Sequence, residues 1–144
     1  MKTKHTPGRP DYIAYADGGS RGNPGESAFG FLIYDSNKKL LAKHGEKIGI
    51  NTNNAAEYSG VIAALRWIKE NKTVETPLIE FYLDSQLAAM QLMGRWKIKN
   101  ETLRSLFFTA KDLEKKIGGR ISYTAVRREL NLEADRLVNL ALDS

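Results

Sequence analysis

The sequence predicts a single α/β domain built on a five-stranded mixed sheet, with helices packed on both of its faces. Before residue 50, three short runs that suit strands are separated by a glycine-rich segment and by the short polar connection Asp35-Ser36-Asn37, which is typical of antiparallel strands joined by tight connections. After residue 50, segments with helical spacing of apolar residues alternate with two further short apolar runs, which is typical of parallel strands. The length of 144 residues fits one domain of ordinary size, about 100–150 residues.

The elements follow from the position of each periodic run. The predicted strands are 12–17, 28–35, 38–49, 77–84 and 120–126. The predicted helices are 51–72, 85–96, 100–119 and 131–142. The glycine-rich segment 18–25 predicts a turn between the first two strands. Residues 1–10 contain two prolines and no periodicity, so we expect a flexible tail followed by one domain over 11–144.

The composition excludes several classes of protein. The chain has no cysteine, which excludes disulfides, zinc–thiolate sites and cysteine nucleophiles. No apolar stretch approaches the ~20 residues of a membrane span, and the first residues lack the apolar run of a signal peptide. We therefore expect a cytoplasmic protein with no membrane partner. The 22 basic and 17 acidic residues give a net charge of +5, which is informative only through its distribution.

Several carboxylates occupy positions where parallel strands end or helices begin. Asp17 ends the first predicted strand and Asp84 ends the fourth, and each alone is typical of a turn or a helix cap. We expect Glu57 in the first turn of its helix, where a favourable dipole contact is the simpler interpretation. Glu133 and Asp135 both lie early in the last helix, and periodicity does not choose between them.

The acids together point to metal chemistry. If the first and fourth strands are parallel neighbours, Asp17 and Asp84 leave the sheet at the same edge. Like charges that close are unfavourable unless a cation neutralises them or a proton is shared. Oxygen ligands without cysteine suit Mg²⁺ or Mn²⁺, and two such ions ~3.5–4 Å apart can act on both oxygens of a phosphodiester displacement. The pattern favours a metal-dependent nuclease.

A second cluster suits nucleic-acid binding. Arg95, Lys97 and Lys99 surround Trp96 in a short connection, which combines cations for a phosphate backbone with one ring for stacking. The basic residues from Lys111 onward fit an ordinary solvated helix face. The glycine-rich segment lacks the Gly-Lys-Ser/Thr ending of a nucleotide-binding loop.

Four motifs resemble those of one known family. DGGSRGNPG (17–25), TNNAAEY (52–58), DSQL (84–87) and NLEADRLVNLAL (131–142) resemble type 1 ribonuclease H in order, spacing and structural context. The resemblance extends from about Tyr12 to Ala141 and covers nearly the whole chain. It also selects Asp135 over Glu133, because the last acid of the family lies in the Ala-Asp-Arg-Leu run.

The resemblance implies a ribonuclease H-like sheet and a specific reaction. That reaction is endonucleolytic hydrolysis of the RNA strand of an RNA–DNA hybrid by two metal ions, leaving 5′-phosphate and 3′-hydroxyl ends. Asp17 and Asp84 would be the principal ligands, and Glu57 would bind one ion and sense the ribose 2′-hydroxyl. Asp135 would hold the ion that activates water. We expect two Mg²⁺ or Mn²⁺ ions, a hybrid as partner and a monomer.

Most of the candidate substrate contacts lie beside these motifs. By position, several small polar residues would contact the minor groove of the hybrid, and Thr52 would seat a DNA phosphate. Asn53 and Asn54 have a simpler interpretation as helix caps. The full set of candidates is Ser20, Asn23, Thr52, Asn53, Asn54, Gln86, Trp96 and Asn100.

The chain departs from the family pattern in two places. Only GRWKIK (94–99) stands where many members carry a longer basic protrusion. Counting back ten residues from Asp135 gives Ala125 where many members have a histidine, so Arg127 and Arg128 are candidates for an auxiliary role. Two alternatives stay open: a hybrid-binding module with weak activity, and a nuclease of the same fold that acts on another nucleic acid.

Overall fold

The computed structural model describes residues 8–144 and contains one five-stranded sheet with the order β3-β2-β1-β4-β5. The strands are β1 (Tyr12–Arg21), β2 (Gly25–Asp35), β3 (Leu40–Asn51), β4 (Leu78–Leu83) and β5 (Arg120–Ala125). The first three pair antiparallel, β4 lies parallel to β1, and β5 lies parallel to β4. The predicted mixed sheet is confirmed.

Helices cover both faces of the sheet, as predicted. They are α1 (Asn53–Asn71), α2 (Gln86–Leu92), α3 (Glu101–Ile117) and α4 (Leu132–Asp143), and a short 3₁₀ turn spans Arg128–Leu130. Helices α1 and α3 pack together on one face, whereas α4 packs on the opposite face against β1, β2 and β3. Within residues 8–144, no helix is long and apolar enough to cross a bilayer.

The first helix carries the core of the domain. Its predicted apolar stripe is buried along the whole length of α1: Tyr58, Val61, Ile62, Leu65 and Ile68. The stripe packs on the small side chains Ala14 and Ala16 of β1, which let the helix approach the strand closely. Burial of this face stabilises the helix more than the intrinsic preferences of its residues do.

The glycine-rich segment does not form the predicted turn over 18–25. Instead β1 and β2 stay paired through it, with Gly18 opposite Phe29 and Arg21 opposite Glu26. The turn is confined to residues 22–24, where the Asn23–Pro24 peptide bond is cis. The prediction that β1 ends at Asp17 was therefore wrong. A glycine that makes room for a neighbouring helix cannot be distinguished from a turn glycine in the sequence alone.

The second helix is shorter than predicted. It ends at Leu92 and not at residue 96, because Gly94 has a φ of 76° that no longer continues a right-handed helix. The backbone N–H groups of Arg95 and Trp96 both donate to the carbonyl of Met90 and fold the following connection back on the helix.

Most of the predicted N-terminal tail, residues 1–7, lies outside the described residues. The part that follows is tied to the domain, since the Arg9 guanidinium donates to the carbonyl of Ser36. Asp11 pairs with Leu78 through its backbone N–H (2.8 Å) and its carboxylate (2.8 Å). These bonds fix the approach of the chain to β1.

A glycine under α4 sets the height of that helix above the sheet. A Cβ at Gly30 would lie 2.7 Å from the Cβ of Leu137 and 2.8 Å from the carbonyl oxygen of Ala134. A Cβ at Gly19 on the neighbouring strand would meet only Val138, at 3.8 Å. Of these two positions, Gly30 alone requires the absence of a side chain for α4 to pack.

We expect Gly30→Ala to push α4 away from β2 and to destabilise the fold by about 1–3 kcal/mol, as overpacking does. Gly19→Ala faces the same helix with ordinary contact distance, so it is the matched control and its stability should match wild type within ~0.5 kcal/mol. Urea unfolding of both variants measures the difference. Equal stability of the two variants would show that Gly30 does not limit the approach of α4.

Candidate active site

Two aspartates meet where the parallel pairing of β1 and β4 ends. The last paired residues are Ala16 and Leu83, so Asp17 and Asp84 leave this ladder side by side. Glu57 of α1 completes a cluster in which one carboxylate oxygen from each of the three acids lies within 4.8 Å of the others. Asp17 and Glu57 are buried, and Asp84 is partly buried. The two strands and α1 thus place three carboxylates in one spot.

Gly18 positions the glutamate of this cluster. Its backbone N–H donates to Asp17 Oδ1 at 2.9 Å and to Glu57 Oε2 at 3.1 Å, and so joins the two acids. A Cβ at Gly18 would lie 2.1 Å from the carbonyl carbon of Ala56, so only glycine lets α1 rest on β1 here. The sequence predicted Glu57 in the first turn of its helix. Because α1 begins at Asn53, Glu57 lies in the second turn instead.

The crowding of carboxylates raises their affinity for protons. Burial, and then the charge of Asp84, raises the pKa of Asp17 from 3.8 to about 8. Burial also raises the pKa of Glu57 well above its ordinary value, followed by the charges of Asp17 and Asp84. Desolvation disfavours the charged form and nearby like charges add to that effect. In the absence of a cation the cluster therefore retains protons at neutral pH.

The donor set of the cluster fits a hard divalent cation. All three groups are carboxylates, which are the ligands that Mg²⁺ and Mn²⁺ prefer. Glu57 Oε1 is buried and has no hydrogen-bond partner among the described residues, so it is an acceptor that a cation would satisfy. A divalent charge would also remove the repulsion that raises the pKa values of these acids.

Asp135 lies at the edge of the same cleft but outside the cluster of three. It lies in the first turn of α4, and Asn139 Nδ2 donates to its carbonyl oxygen at 3.1 Å and lies 3.5 Å from Oδ2. Glu133, the alternative acid of this helix, lines a different groove beside Tyr15 on the α4 face of the sheet. The structure thus places Asp135 and not Glu133 with the other acids.

The cleft has a volume of about 550 Å³ and brings together eight of the predicted site residues. These are Asp17, Ser20, Asn53, Asn54, Glu57, Asp84, Arg128 and Asp135. The other candidates lie outside its lining: Asn23, Thr52, Gln86, Trp96, Asn100 and Arg127.

The polar residues at the rim of the cleft form one hydrogen-bonded chain. Asn53 Oδ1 accepts from the backbone N–H of Ser20 at 2.8 Å, and the Asn53 backbone N–H donates to Asn23 Oδ1 at 3.1 Å. The Ser20 hydroxyl donates to the carbonyl of Asn51 at 3.0 Å. These bonds hold the β1–β2 turn against the start of α1, so the rim is preorganised.

Two of the outer candidates serve as helix caps. Thr52 Oγ1 accepts from the N–H of Ala55 at 3.1 Å, and Asn100 Oδ1 accepts from the N–H of Leu103 at 3.0 Å. Capping alone explains a short polar side chain at both positions. Gln86 is exposed at the start of α2, directly after the cap residue Ser85.

A buried glutamine holds the connection that carries Trp96. Gln91 Oε1 accepts from the Tyr58 hydroxyl at 2.8 Å, and Gln91 Nε2 donates to the carbonyl of Lys97 at 3.3 Å. Trp96 itself is 43% exposed, and Arg95, Lys97 and Lys99 are exposed as well. Sequence reasoning missed Gln91 because a polar residue inside an apolar helical run has no distinctive spacing.

The two arginines after β5 take different positions. Arg128 Nε lies 3.9 Å from Asp84 Oδ2 and its side chain lines the cleft. Arg127 points to Glu129 at 4.0 Å and is 85% exposed. Ala125, where a histidine was expected by comparison with the family, is the exposed last residue of β5.

Asn131 and Asn139 were also missed, and both contact the acid-bearing elements. Asn131 Nδ2 donates to the carbonyl of Ala16 at 3.0 Å, directly before Asp17. The two asparagines stand four residues before and four after Asp135, which is the spacing of neighbours on one helix face. That spacing is the signal that could have identified them.

We expect the metal-free protein to lose stability as the pH rises from 5 to 8.5. The folded-state pKa of Asp17, about 8, lies above its unfolded value of 3.8. The folded state therefore binds the extra proton between these values, so the stabilisation is complete below pH ~4 and is lost as the pH passes through the folded pKa. Asp17→Asn should raise the melting temperature at pH 8.5 and flatten this dependence.

The control is Asp112→Asn, which removes an exposed acid paired with Lys116 on α3. Its melting curves should keep the wild-type pH dependence. Adding Mg²⁺ at pH 8 should stabilise wild type and Asp112→Asn but have little effect on Asp17→Asn. Equal pH profiles for wild type and Asp17→Asn would show that Asp17 does not carry the raised pKa.

The sequence is similar to known proteins along almost its entire length. The family model described as "Reverse transcriptase-like" matches residues 15–141. The Bifunctional protein Rv2228c of Mycobacterium tuberculosis is 40% identical over 133 residues, which cover 92% of this chain and 35% of that protein. Ribonuclease HI of Halobacterium salinarum is 40% identical over 130 residues, which cover 90% of this chain and 63% of that protein. The chain thus spans about a third of the length of the mycobacterial relative.

The fold matches solved structures with similar sequences. RNase H1 from Halobacterium salinarum superposes with a TM-score of 0.84 at 39% identity. The match covers 92% of this chain and 97% of the halobacterial chain. LC11-RNase H1, solved in complex with RNA/DNA hybrid, gives a TM-score of 0.84 at 34% identity, with coverage of 92% and 96%. The chain belongs to the Reverse transcriptase-like family and, within it, to the type 1 ribonucleases H.

Proposed function

We propose that this chain is an endonuclease that hydrolyses the RNA strand of RNA–DNA hybrids and leaves 5′-phosphate and 3′-hydroxyl ends. The observation that carries the proposal is the cluster of Asp17, Glu57 and Asp84 within 4.8 Å, in a cleft that Asp135 also lines. The complex of LC11-RNase H1 with RNA/DNA hybrid supports the hybrid as the substrate, because that protein is 34% identical over nearly the whole chain.

We propose two Mg²⁺ or Mn²⁺ ions as cofactors, held by Asp17, Glu57, Asp84 and Asp135. When bound, such ions supply an activated water and stabilise the charge that develops on the phosphate. The buried Glu57 Oε1, which has no hydrogen-bond partner among the described residues, and the raised pKa of Asp17 support this assignment. A cation would bind the unpaired oxygen and would offset the repulsion between the carboxylates. A monomer is sufficient, because one chain provides all four acids.

The chain itself orients the substrate. Glu57 is fixed by the Gly18 N–H and stands beside the rim residues Ser20 and Asn53, so a ribose lying there would meet a carboxylate and amide groups together. The 2′-hydroxyl both donates and accepts, and it distinguishes RNA from DNA in a minor groove. A deoxyribose would leave the buried Glu57 carboxylate without this partner, which disfavours it. This arrangement favours a hybrid-specific enzyme over a nuclease of the same fold that acts on duplex DNA.

Arg128 completes the cleft with a positive charge. An arginine side chain carries a fixed positive charge and does not act as a general base, so we assign Arg128 to attracting the scissile phosphate or the departing product. Ala125 lacks any group for proton transfer, which favours a slow enzyme or, as a second candidate, a hybrid-binding module. The clustered acids oppose a pure binding role, because they would repel phosphate without contributing catalysis.

We expect wild-type protein with Mg²⁺ or Mn²⁺ to cut the RNA strand of a hybrid and to leave duplex DNA intact. Asp84→Asn should lower cleavage by roughly 10³-fold or more, since loss of a single electrostatic stabiliser already reduces rates by ~10²–10³. Its affinity for hybrid without metal should stay equal or increase, because a negative charge near phosphate is removed.

Cleavage and binding are measured in parallel on hybrid, duplex RNA and duplex DNA, with Asp112→Asn as the control that keeps full activity. Equal cutting of duplex DNA would refute hybrid specificity. Near-normal turnover by Asp84→Asn would refute the assignment of the site. Tight binding of hybrid by wild type without any cleavage would favour the binding module.

The two arginines offer a matched pair of variants. We expect Arg128→Ala to lower single-turnover cleavage by roughly tenfold, equivalent to ~1.4 kcal/mol, because a cation beside Asp84 is lost. Arg127→Ala removes the same charge from the neighbouring position outside the cleft and should keep the wild-type rate. Single-turnover kinetics on hybrid measure both. A larger effect for Arg127→Ala would show that the loop places the other arginine at the phosphate.

A further inference from the structure

We infer that Asn131 is a positioning residue that fixes the acid of α4 relative to the acid of β1. The side chain lies at the junction between the 3₁₀ turn and α4, where it is 2% exposed. Its Nδ2 donates to the carbonyl of Ala16 at 3.0 Å, which is the last residue of β1 paired with β4 before Asp17. The inference rests on the proposed function and names a residue that governs how its site is assembled.

Backbone bonds of the same residue extend this link to two groups of the cleft. The carbonyl of Asn131 accepts from the N–H of Asp135 at 3.1 Å, which fixes the first turn of α4. The N–H of Asn131 donates to the carbonyl of Arg128 at 2.9 Å, which closes the 3₁₀ turn. One residue therefore ties Asp135 and Arg128 to the strand that carries Asp17.

The chemistry of the side chain argues against a simple capping role. Asn131 precedes α4 in the N-cap position, where an asparagine normally accepts from a helix N–H through its oxygen, yet its side chain makes no capping bond. Its Oδ1 is buried without a hydrogen-bond partner among residues 8–144. The side chain is used as a donor to β1 and leaves its oxygen unsatisfied, which is unfavourable for stability alone. Violations of that kind concentrate at functional sites.

The apolar packing of α4 on the sheet does not by itself orient Asp135. The helix packs on the sheet through Ala134, Leu137 and Val138, above Gly30 and Gly19. Those contacts are apolar and non-directional, so they bring α4 close to the sheet without fixing the direction of the Asp135 side chain. A hydrogen bond from Asn131 to Ala16 supplies the missing directional constraint at the end of the helix that carries the acid.

Two variants separate the donor from the volume of the side chain. Asn131→Ala removes both, whereas Asn131→Asp keeps the shape and replaces the donor by an oxygen that faces the Ala16 carbonyl. We expect both variants to lower kcat on hybrid by roughly 10–100-fold and to raise the half-saturating Mg²⁺ or Mn²⁺ concentration, as loss of groups that orient metal ligands does. The KM for hybrid should change less than about twofold, because the rim residues are unaffected.

A readout without catalysis accompanies the kinetics. Amide hydrogen exchange of Asp135 should accelerate at least about tenfold in both variants, whereas amides of the β2–β3 pair keep wild-type rates. The control is Leu113→Ala, which empties a core position on α3 and lowers the melting temperature without touching α4. It should leave the metal dependence and the Asp135 amide unchanged.

The outcomes are distinct. Wild-type metal dependence in Asn131→Asp, or the same shift in Leu113→Ala, would overturn the positioning role while hybrid cleavage by wild type still supports the proposed function. Absence of cleavage by wild type would refute the proposed function, and the exchange data would still test the link. If both variants fail to fold, amide hydrogen exchange of the wild-type protein tests the inference. The Asp135 amide should then exchange at the same opening free energy as the β1 amides, and faster exchange of Asp135 through fraying of α4 alone would overturn the inference.

Discussion

The parallel pairing of β1 with β4 stops at Ala16 and Leu83, and the next residue of each strand is an aspartate. Two carboxylates are thereby forced together by the backbone hydrogen bonds of the sheet, and Glu57 from α1 adds a third. Their repulsion opposes folding, as the raised pKa values of Asp17 and Glu57 indicate. Pairing of the strands and burial of the α1 stripe must offset it, so the stability of the core is what holds the acids together until a cation binds.

Close approach of helices to the sheet sets where the remaining groups stand. The absence of a side chain at Gly18 lets α1 approach β1 closely, and the Gly18 N–H then donates to both Asp17 and Glu57. On the opposite face, Gly30 makes room for α4 in the same way. Asn131 then ties the first turn of α4 to β1 through its bond to the Ala16 carbonyl. The site is thus built by backbone geometry at glycines and by a few directional hydrogen bonds, and the apolar core provides the free energy that keeps them in place.

Much of this arrangement could be predicted from the sequence, because periodicity and chain order report pairing directly. Strand order, the helix faces and the convergence of Asp17 with Asp84 follow from that information. The strand continuing through Gly18 could not be predicted, since glycine makes room for a helix as readily as it makes a turn. Gln91 and Asn131 were missed for a different reason: a buried polar side chain shows its role only when its partners, Lys97 and Ala16, are known.

The groups available to bind substrate differ in burial, and this difference divides their chemical tasks. The acids come from strands and helices that pack on the core, so the fold determines the type of reaction. Arg128 at the cleft and Trp96 outside its lining come from exposed connections, and their side chains are 78% and 43% exposed. Exposed cations contribute mainly through long-range attraction of phosphate, which salt screens. Affinity for the substrate and departure of the product can therefore change through these connections while the carboxylate cluster, and with it the chemistry, stays the same.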